Sequence, residues 1–198
     1  MNVTAQRILD FWFSAEEGAL PMQRWFTAAP SFDERIRTEF GAAVDEALDG
    51  GFKAWEADVH ARLALILLLD QFPRNIHRRT ARAFEGDERA LHLARQTLQA
   101  GEDKALEPLE RMFLLMPFQH AEDMRAQEEG VGHFASLVHE AADDASRGVL
   151  ESAADYARRH CEIISRFGRF PYRNDVLERE TTAAEREWLA SGVERFGQ

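Results

Sequence analysis

Two segments of the chain set an arginine and an asparagine side by side just after a Phe-Pro pair. They are Phe72-Pro73-Arg74-Asn75 and Phe170-Pro171-Tyr172-Arg173-Asn174. Arginine offers five donors in a planar fork, and asparagine offers both donor and acceptor groups. If the two pairs converge they form one polar site for a carboxylate or phosphate, the arginines meeting the charge and the asparagines fixing orientation. Gln71 precedes the first copy and His77, Arg78, Arg79 and Arg82 follow it, while Arg166 and Arg169 flank the second. The same residues admit a purely structural reading. A cation beyond a helix carboxyl end complements the macrodipole, and asparagine is a standard turn residue. Arginines that neutralise Asp70, Glu122 and Asp123 would make an ion-pair network instead of a site.

A second candidate is Pro117-Phe118-Gln119-His120-Ala121-Glu122-Asp123, which packs imidazole, amide and two carboxylates into a break after an apolar run. A histidine beside a carboxylate suits general acid–base work. The alternative places Glu122 and Asp123 in the first turn of the next helix, where negative charge is favoured, and leaves His120 at the surface or in a cap. His160 lies on an apolar stripe leading to the second Arg-Asn pair. It is either a hydrogen-bonded core residue or part of the same cleft. Cys161 follows it directly, and adjacent helical residues do not face each other. A Cys-His catalytic pair is thus disfavoured, and Cys161 reads as a small buried hydrophobe.

Metal and nucleotide patterns are missing. None of His60, His77, His92, His120, His133, His139 and His160 has a glutamate three residues before it, as a helical di-iron site needs. His139-Glu140 lacks a second histidine at zinc-protease spacing, because Asp143 stands there. No phosphate-binding loop, dinucleotide fingerprint, nucleophile-elbow serine or cysteine pair occurs.

The elements that must position these residues read as helices. Thr4 caps a first helix through Phe13, and Met22 to Ala28 forms a short second one. Ser31 with Glu34 makes a capping box for a helix that places Phe32, Ile36, Phe40, Val44 and Leu48 four apart. Gly50-Gly51 ends it. A central buried helix spans about Asp58 to Asp70, and both Phe-Pro pairs are expected to lie at helix exits, because proline cannot continue a helix. Further helices are expected from Asp87 through Leu98 and from Pro108 to a kink or end at Pro117. Others run from Asp123 to Ala142 and from Leu150 to a Gly168 cap. The last starts at a Thr182-Glu185 capping box. This gives an all-α fold of about nine helices stacked as antiparallel hairpins, in a single domain over residues 1–198.

Composition narrows the partners. The net charge of −11 disfavours broad contact with nucleic acid or anionic membrane. The start of the chain lacks a signal-peptide pattern, no stretch is long enough to span a bilayer, and the lone cysteine excludes an internal disulfide. A soluble, cytoplasmic protein is expected. Lys53 and Lys104 are the only lysines among 24 basic residues. Genomic base composition is the favoured account, and a demand for planar anion recognition is the sharper alternative that the count alone does not separate from it.

Four ordered segments carry a family resemblance: Ile8-Leu9-Asp10-Phe11-Trp12-Phe13, Leu69-Asp70-Gln71-Phe72-Pro73-Arg74-Asn75, Met116 through Asp123, and Phe167 through Asn174. The chain resembles the uncharacterised family catalogued as domain of unknown function 924. The resemblance spans nearly the whole sequence and implies a tetratricopeptide-like helical fold, although no 34-residue repeat is visible. It implies no activity. The residues therefore favour a small anion or a peptide carboxylate bound by Arg74, Asn75, His77, His120, Glu122, His160, Arg173 and Asn174. An enzyme of unassigned class with a histidine base, and a protein-interaction scaffold with structural Arg-Asn turns, remain the other two readings. No cofactor and no oligomeric state is indicated.

Overall fold

Thr4 caps the first helix, its hydroxyl accepting from the Arg7 N–H at 3.2 Å. The computed structural model describes residues 3–14, 25 and 30–192. Among them every regular element is helical, with no strand. Helix α1 is Ala5–Phe13 and buries Ile8, Leu9 and Trp12 on one face. Helix α2, Pro30–Leu48, buries Phe32, Ile36, Phe40 and Val44 at the four-residue spacing that the sequence shows. It starts one residue before Ser31, so Ser31 sits inside the first turn and not at the cap. The short helix expected over Met22 to Ala28 falls almost wholly outside the described residues.

The central rod departs from expectation at its proline. Helix α3, Val59–Ile66, is capped by Asp58 and passes into one π turn at Leu67–Gln71, then into α4, Phe72–Ile76. Pro73 therefore does not end the helix. A proline ring collides with the carbonyl four residues back and offers it no N–H. The π turn resolves this by shifting the register just ahead of Pro73: the Phe72 N–H reaches back five residues to the Leu67 carbonyl. The same turn is wholly buried and contains Asp70 and Gln71.

Helix α5 is Asp87–Ala100. Helix α6, Pro108–His120, opens with a Glu107/Glu110 capping box and runs three residues past Pro117, which therefore does not end it. Asp123 caps α7, Met124–Val138, accepting from the Ala126 N–H at 2.8 Å. Glu122 and Asp123 thus precede the first turn instead of lying in it, and α7 stops short of Ala142. Helix α8, Asp144–Phe167, ends at Gly168, whose φ of +69° is a left-handed cap. One 3₁₀ turn at Pro171–Arg173 follows, so the second Phe-Pro pair does lie beyond a helix exit. Helix α9, Ala183–Ala190, has the expected Thr182/Glu185 box. With α3 and α4 counted as one rod, these are eight helices among the described residues.

Packing pairs α6 with α7 and α7 with α8, and sets α1 on α3 and α2 on α4. The three residues linking α6 to α7 force those neighbours to reverse direction. An aromatic cluster holds the other end: Trp12 lies 5.4 Å from both the Phe72 and Phe113 rings, and Trp25 lies 4.7 Å from Phe113. The Trp25 indole N–H donates to the Trp12 carbonyl at 2.9 Å. A smaller apolar group of Ile163, Ile164 and Phe170 packs with Met124, Phe167, Tyr172 and Trp188. Cys161, beside it on α8, is half-buried and not a core residue. No described helix is long and apolar enough to cross a membrane.

Candidate functional site

The π turn delivers Asp70 into the interior with no exposed surface. Such a carboxylate needs partners, and it has three. The Arg74 Nη1 donates to Oδ1 at 3.2 Å and to the Asp70 carbonyl at 2.7 Å. His120 Nδ1, from the last residue of α6, stands 2.7 Å from Oδ1. The Gln71 amide donates to Oδ2. Burial alone would raise the Asp70 pKa, but the His120 ring and the Arg74 guanidinium outweigh it and hold the group far below the usual carboxylate range.

Asp87, the first residue of α5, supplies the second anion. Arg74 grips it with Nη1 to Oδ1 at 2.8 Å and Nη2 to Oδ2 at 2.8 Å. Arg74 is thereby compensated, and its pKa is raised despite burial, by Asp87 first and Asp70 second. Arg173 reaches the same carboxylate only at 3.5 Å, from Nη1 to Oδ2. Its guanidinium lies 4.4 Å from the Phe84 ring and 4.5 Å from the Phe170 ring, between two cation–π partners. Its side chain is 5% exposed. Among the described residues it makes no side-chain hydrogen bond, and Nε is buried without a partner. Burial lowers its pKa; Asp87 resists this, and repulsion from Arg74 adds to it.

His160 completes the ring of contacts. Its ring centroid is 6.3 Å from that of His120 and 5.4 Å from that of Phe170. Its Nδ1 donates to the Tyr156 carbonyl one turn back at 2.8 Å, the hydrogen-bonded core placement that the sequence allowed. Burial first, then His120 and the two arginines, push its pKa down to about 3.

The other sequence candidates lie around this ring or away from it. Glu122 accepts from the Phe170 N–H at 2.7 Å and from both Arg179 nitrogens at 2.5 and 3.0 Å. It thus ties the segment that carries Arg173 to the end of α6. Asn75 donates to Asp33 at 2.7 Å on the α2 side. Asn174 faces α9, its amide 3.3 Å from Thr181 Oγ1, with Oδ1 unpartnered. His77 caps α4, with a pKa lowered by burial and Arg82. So Arg74, His120, His160 and Arg173 come together, Glu122 braces them, and the two asparagines do not share the ring. Sequence reading passed over Asp87 and Phe84. Asp87 reads as an ordinary first-turn acid, and only the fold shows that it points at two arginines. No group of three or more His, Cys, Asp or Glu side chains suited to a metal occurs among the described residues.

Over residues 8–193 the chain matches the family described as bacterial protein of unknown function, DUF924. It belongs to that family. A solved structure of a protein of unknown function from Agrobacterium tumefaciens is 35% identical to this DUF924 chain, with a TM-score of 0.80, covering 95% of this chain and 97% of that one. No curated protein matches. The segments that carry the DUF924 resemblance were scattered in sequence, and three of the four meet at this ring: Asp70 and Arg74, His120, and Phe170 with Arg173. The fourth contributes Trp12, which packs on Phe72 beneath the π turn.

The two histidines give this ring of side chains a pH signature. A histidine whose folded pKa is lowered takes up a proton more readily when unfolded. Its neutral form stabilises the fold fully above the unfolded value, and stability is lost as pH falls through that value toward the folded one. His160 alone is expected to cost about 1.4 kcal/mol per pH unit on descending from 6.5 toward 3. His120 shifts in the same direction. The carboxylates with lowered pKa contribute nearly unchanged down to about pH 5, so the interval from pH 7 to pH 5 isolates the imidazoles. Urea unfolding at pH 7 and pH 5 should show the loss in wild type and a flatter slope in His160→Gln; equal slopes would exclude the assignment.

Proposed function

We propose that this protein binds a small anion, a carboxylate above all, at Arg173. One observation supports this most. A guanidinium that is almost fully buried, stacked between two phenyl rings and short of hydrogen bonds is held beside a second arginine that already owns the shared carboxylate. The Arg173 Nε is buried without a partner, which is costly, and a planar carboxylate meets two guanidinium donors at once. Arg74, Asp87 and Asp70 then form the frame that fixes Arg173, with His120 and His160 lining the same ring.

The test is thermal unfolding with acetate, phosphate and sulfate against chloride at matched ionic strength, in wild type and Arg173→Met. Methionine keeps apolar bulk between Phe84 and Phe170 and removes the charge. At ten times its Kd a ligand adds about 1.4 kcal/mol, a rise of a few degrees in wild type. Arg173→Met should show no rise. Without ligand it should lose little stability, because Asp87 keeps both bonds from Arg74 and Arg173 reaches it only at 3.5 Å. Equal stabilisation of both proteins by every anion would remove Arg173 from the site, and a severe loss without ligand would favour the structural network.

One observation favours a second reading, that of an enzyme. His120 is oriented by an ionised buried carboxylate at 2.7 Å, the arrangement that aligns an imidazole for general-base work. An activity that vanishes in His120→Leu while anion binding persists would establish it.

A further inference from the structure

The hydrogen-bond inventory of the ring is asymmetric. Asp70 is ionised and can only accept, so the Nδ1 of His120 must carry its proton and donate it. His120 is neutral near pH 7, because burial first and the Arg74 charge second outweigh the pull of Asp70. Its Nε2 is therefore a bare lone pair. The ring is 13% exposed, and Nε2 has no hydrogen-bond partner among the described residues. A ligand that meets His120 must thus bring a donor. Arg74 is committed elsewhere, its terminal nitrogens donating to Asp70 and Asp87, with its Nε buried without a partner. Arg173 thus offers a cationic donor fork and His120 a neutral acceptor.

We infer that the ligand is a small hydroxycarboxylate, its carboxylate on Arg173 and its hydroxyl donating to Nε2 of His120. This rests on the anion-binding reading and goes one step further into it. An amino acid also carries a donor, but its ammonium group would bring a third cation beside Arg74 and Arg173, whose carboxylate partners are already engaged. A hydroxyl adds a donor without charge. A plain carboxylate that covers Nε2 takes it out of water without giving it a partner, and an acceptor so left unmet is penalised.

Binding of matched pairs by calorimetry tests this: glycolate against acetate, lactate against propionate, and 3-hydroxybutyrate against butyrate, with glycine and methoxyacetate as controls. At least one hydroxy acid is expected to bind about tenfold more tightly than its plain partner, the size of one good hydrogen bond. Methoxyacetate and glycine should show no such advantage over acetate. In His120→Leu the hydroxy and plain acids should bind alike, and in Arg173→Met neither should bind. If wild type binds both members of every pair equally and Arg173→Met abolishes both, the hydroxyl inference fails and the anion reading stands. If no acid binds wild type, both fail. A hydroxyl preference that survives in His120→Leu also overturns the assignment. Should that variant not fold, the hydroxy, plain and methoxy series in wild type decides alone.

Discussion

Asp70→Ala should lower the unfolding free energy by about 3 kcal/mol, within the range for breaking a buried ion pair from one side. The carboxylate is completely buried and receives Arg74, His120 and Gln71. Without it, Arg74 and Arg173 share Asp87 alone, leaving one buried positive charge in excess, and the His120 and Gln71 donors lose their acceptor. Asp70→Asn keeps the shape and one acceptor oxygen but not the charge, so its loss should be smaller. Urea titration at pH 7 measures both: the midpoint should fall while the slope stays constant. An alanine variant within 1 kcal/mol of wild type would mean that Arg74 is sufficiently held by Asp87 and that Asp70 is not a keystone. The sign with pH is distinct from that of the histidines. Because the folded pKa of Asp70 is depressed, its contribution is complete above the unfolded value of about 3.8 and is lost progressively as pH falls from there through the folded one.

Gly86→Ala is expected to cost about 3 kcal/mol or more and to disturb the ring from outside it. A Cβ there would stand 2.2 Å from the Leu69 carbonyl oxygen and 2.9 Å from the Leu69 Cα. Both are backbone atoms of the buried π turn, so no side-chain rotation relieves the overlap. Leu69 is also the residue whose carbonyl Pro73, having no N–H, leaves out of the α-helical ladder. Either α5 or the π turn must retreat. Asp87 follows Gly86 directly, so its grip on Arg74 would loosen, and anion binding should weaken along with stability. Gly148→Ala is the control: it is exposed within α8, with nothing within 4 Å of an added Cβ. It should be neutral or gain up to about 1 kcal/mol, from helix propensity and reduced unfolded-chain entropy. If both variants melt alike, close contact at Gly86 is not limiting.

Much of the fold was legible because its signals are local. Four-residue apolar spacing marked α2, Thr4 and Thr182 marked two starts, and Gly168 marked the end of α8, since each rests on hydrogen bonds or sterics within one turn of chain. The rule that proline ends a helix is equally local, and it failed at Pro73, while at Pro117 the helix runs on instead of ending. At Pro73 a π turn absorbed the defect, and the turn is held in place by packing, not by its own sequence.

The chain by itself determined an all-helical fold and the residue types able to handle an anion. It also singled out Arg74, His120, His160 and Arg173 as worth watching. Tertiary structure decided which of them meet. It committed Asn75 to Asp33, recruited Asp87 and Phe84, and left Arg173 as the under-compensated cation. The reason is that helix formation is governed by neighbours three and four residues away, whereas the compensation of a buried charge depends on groups brought from the π turn, α4, α5, α6, α8 and the 3₁₀ turn at Pro171–Arg173. Those partners are separated by tens of residues, and no spacing rule along the chain encodes which carboxylate each arginine will receive.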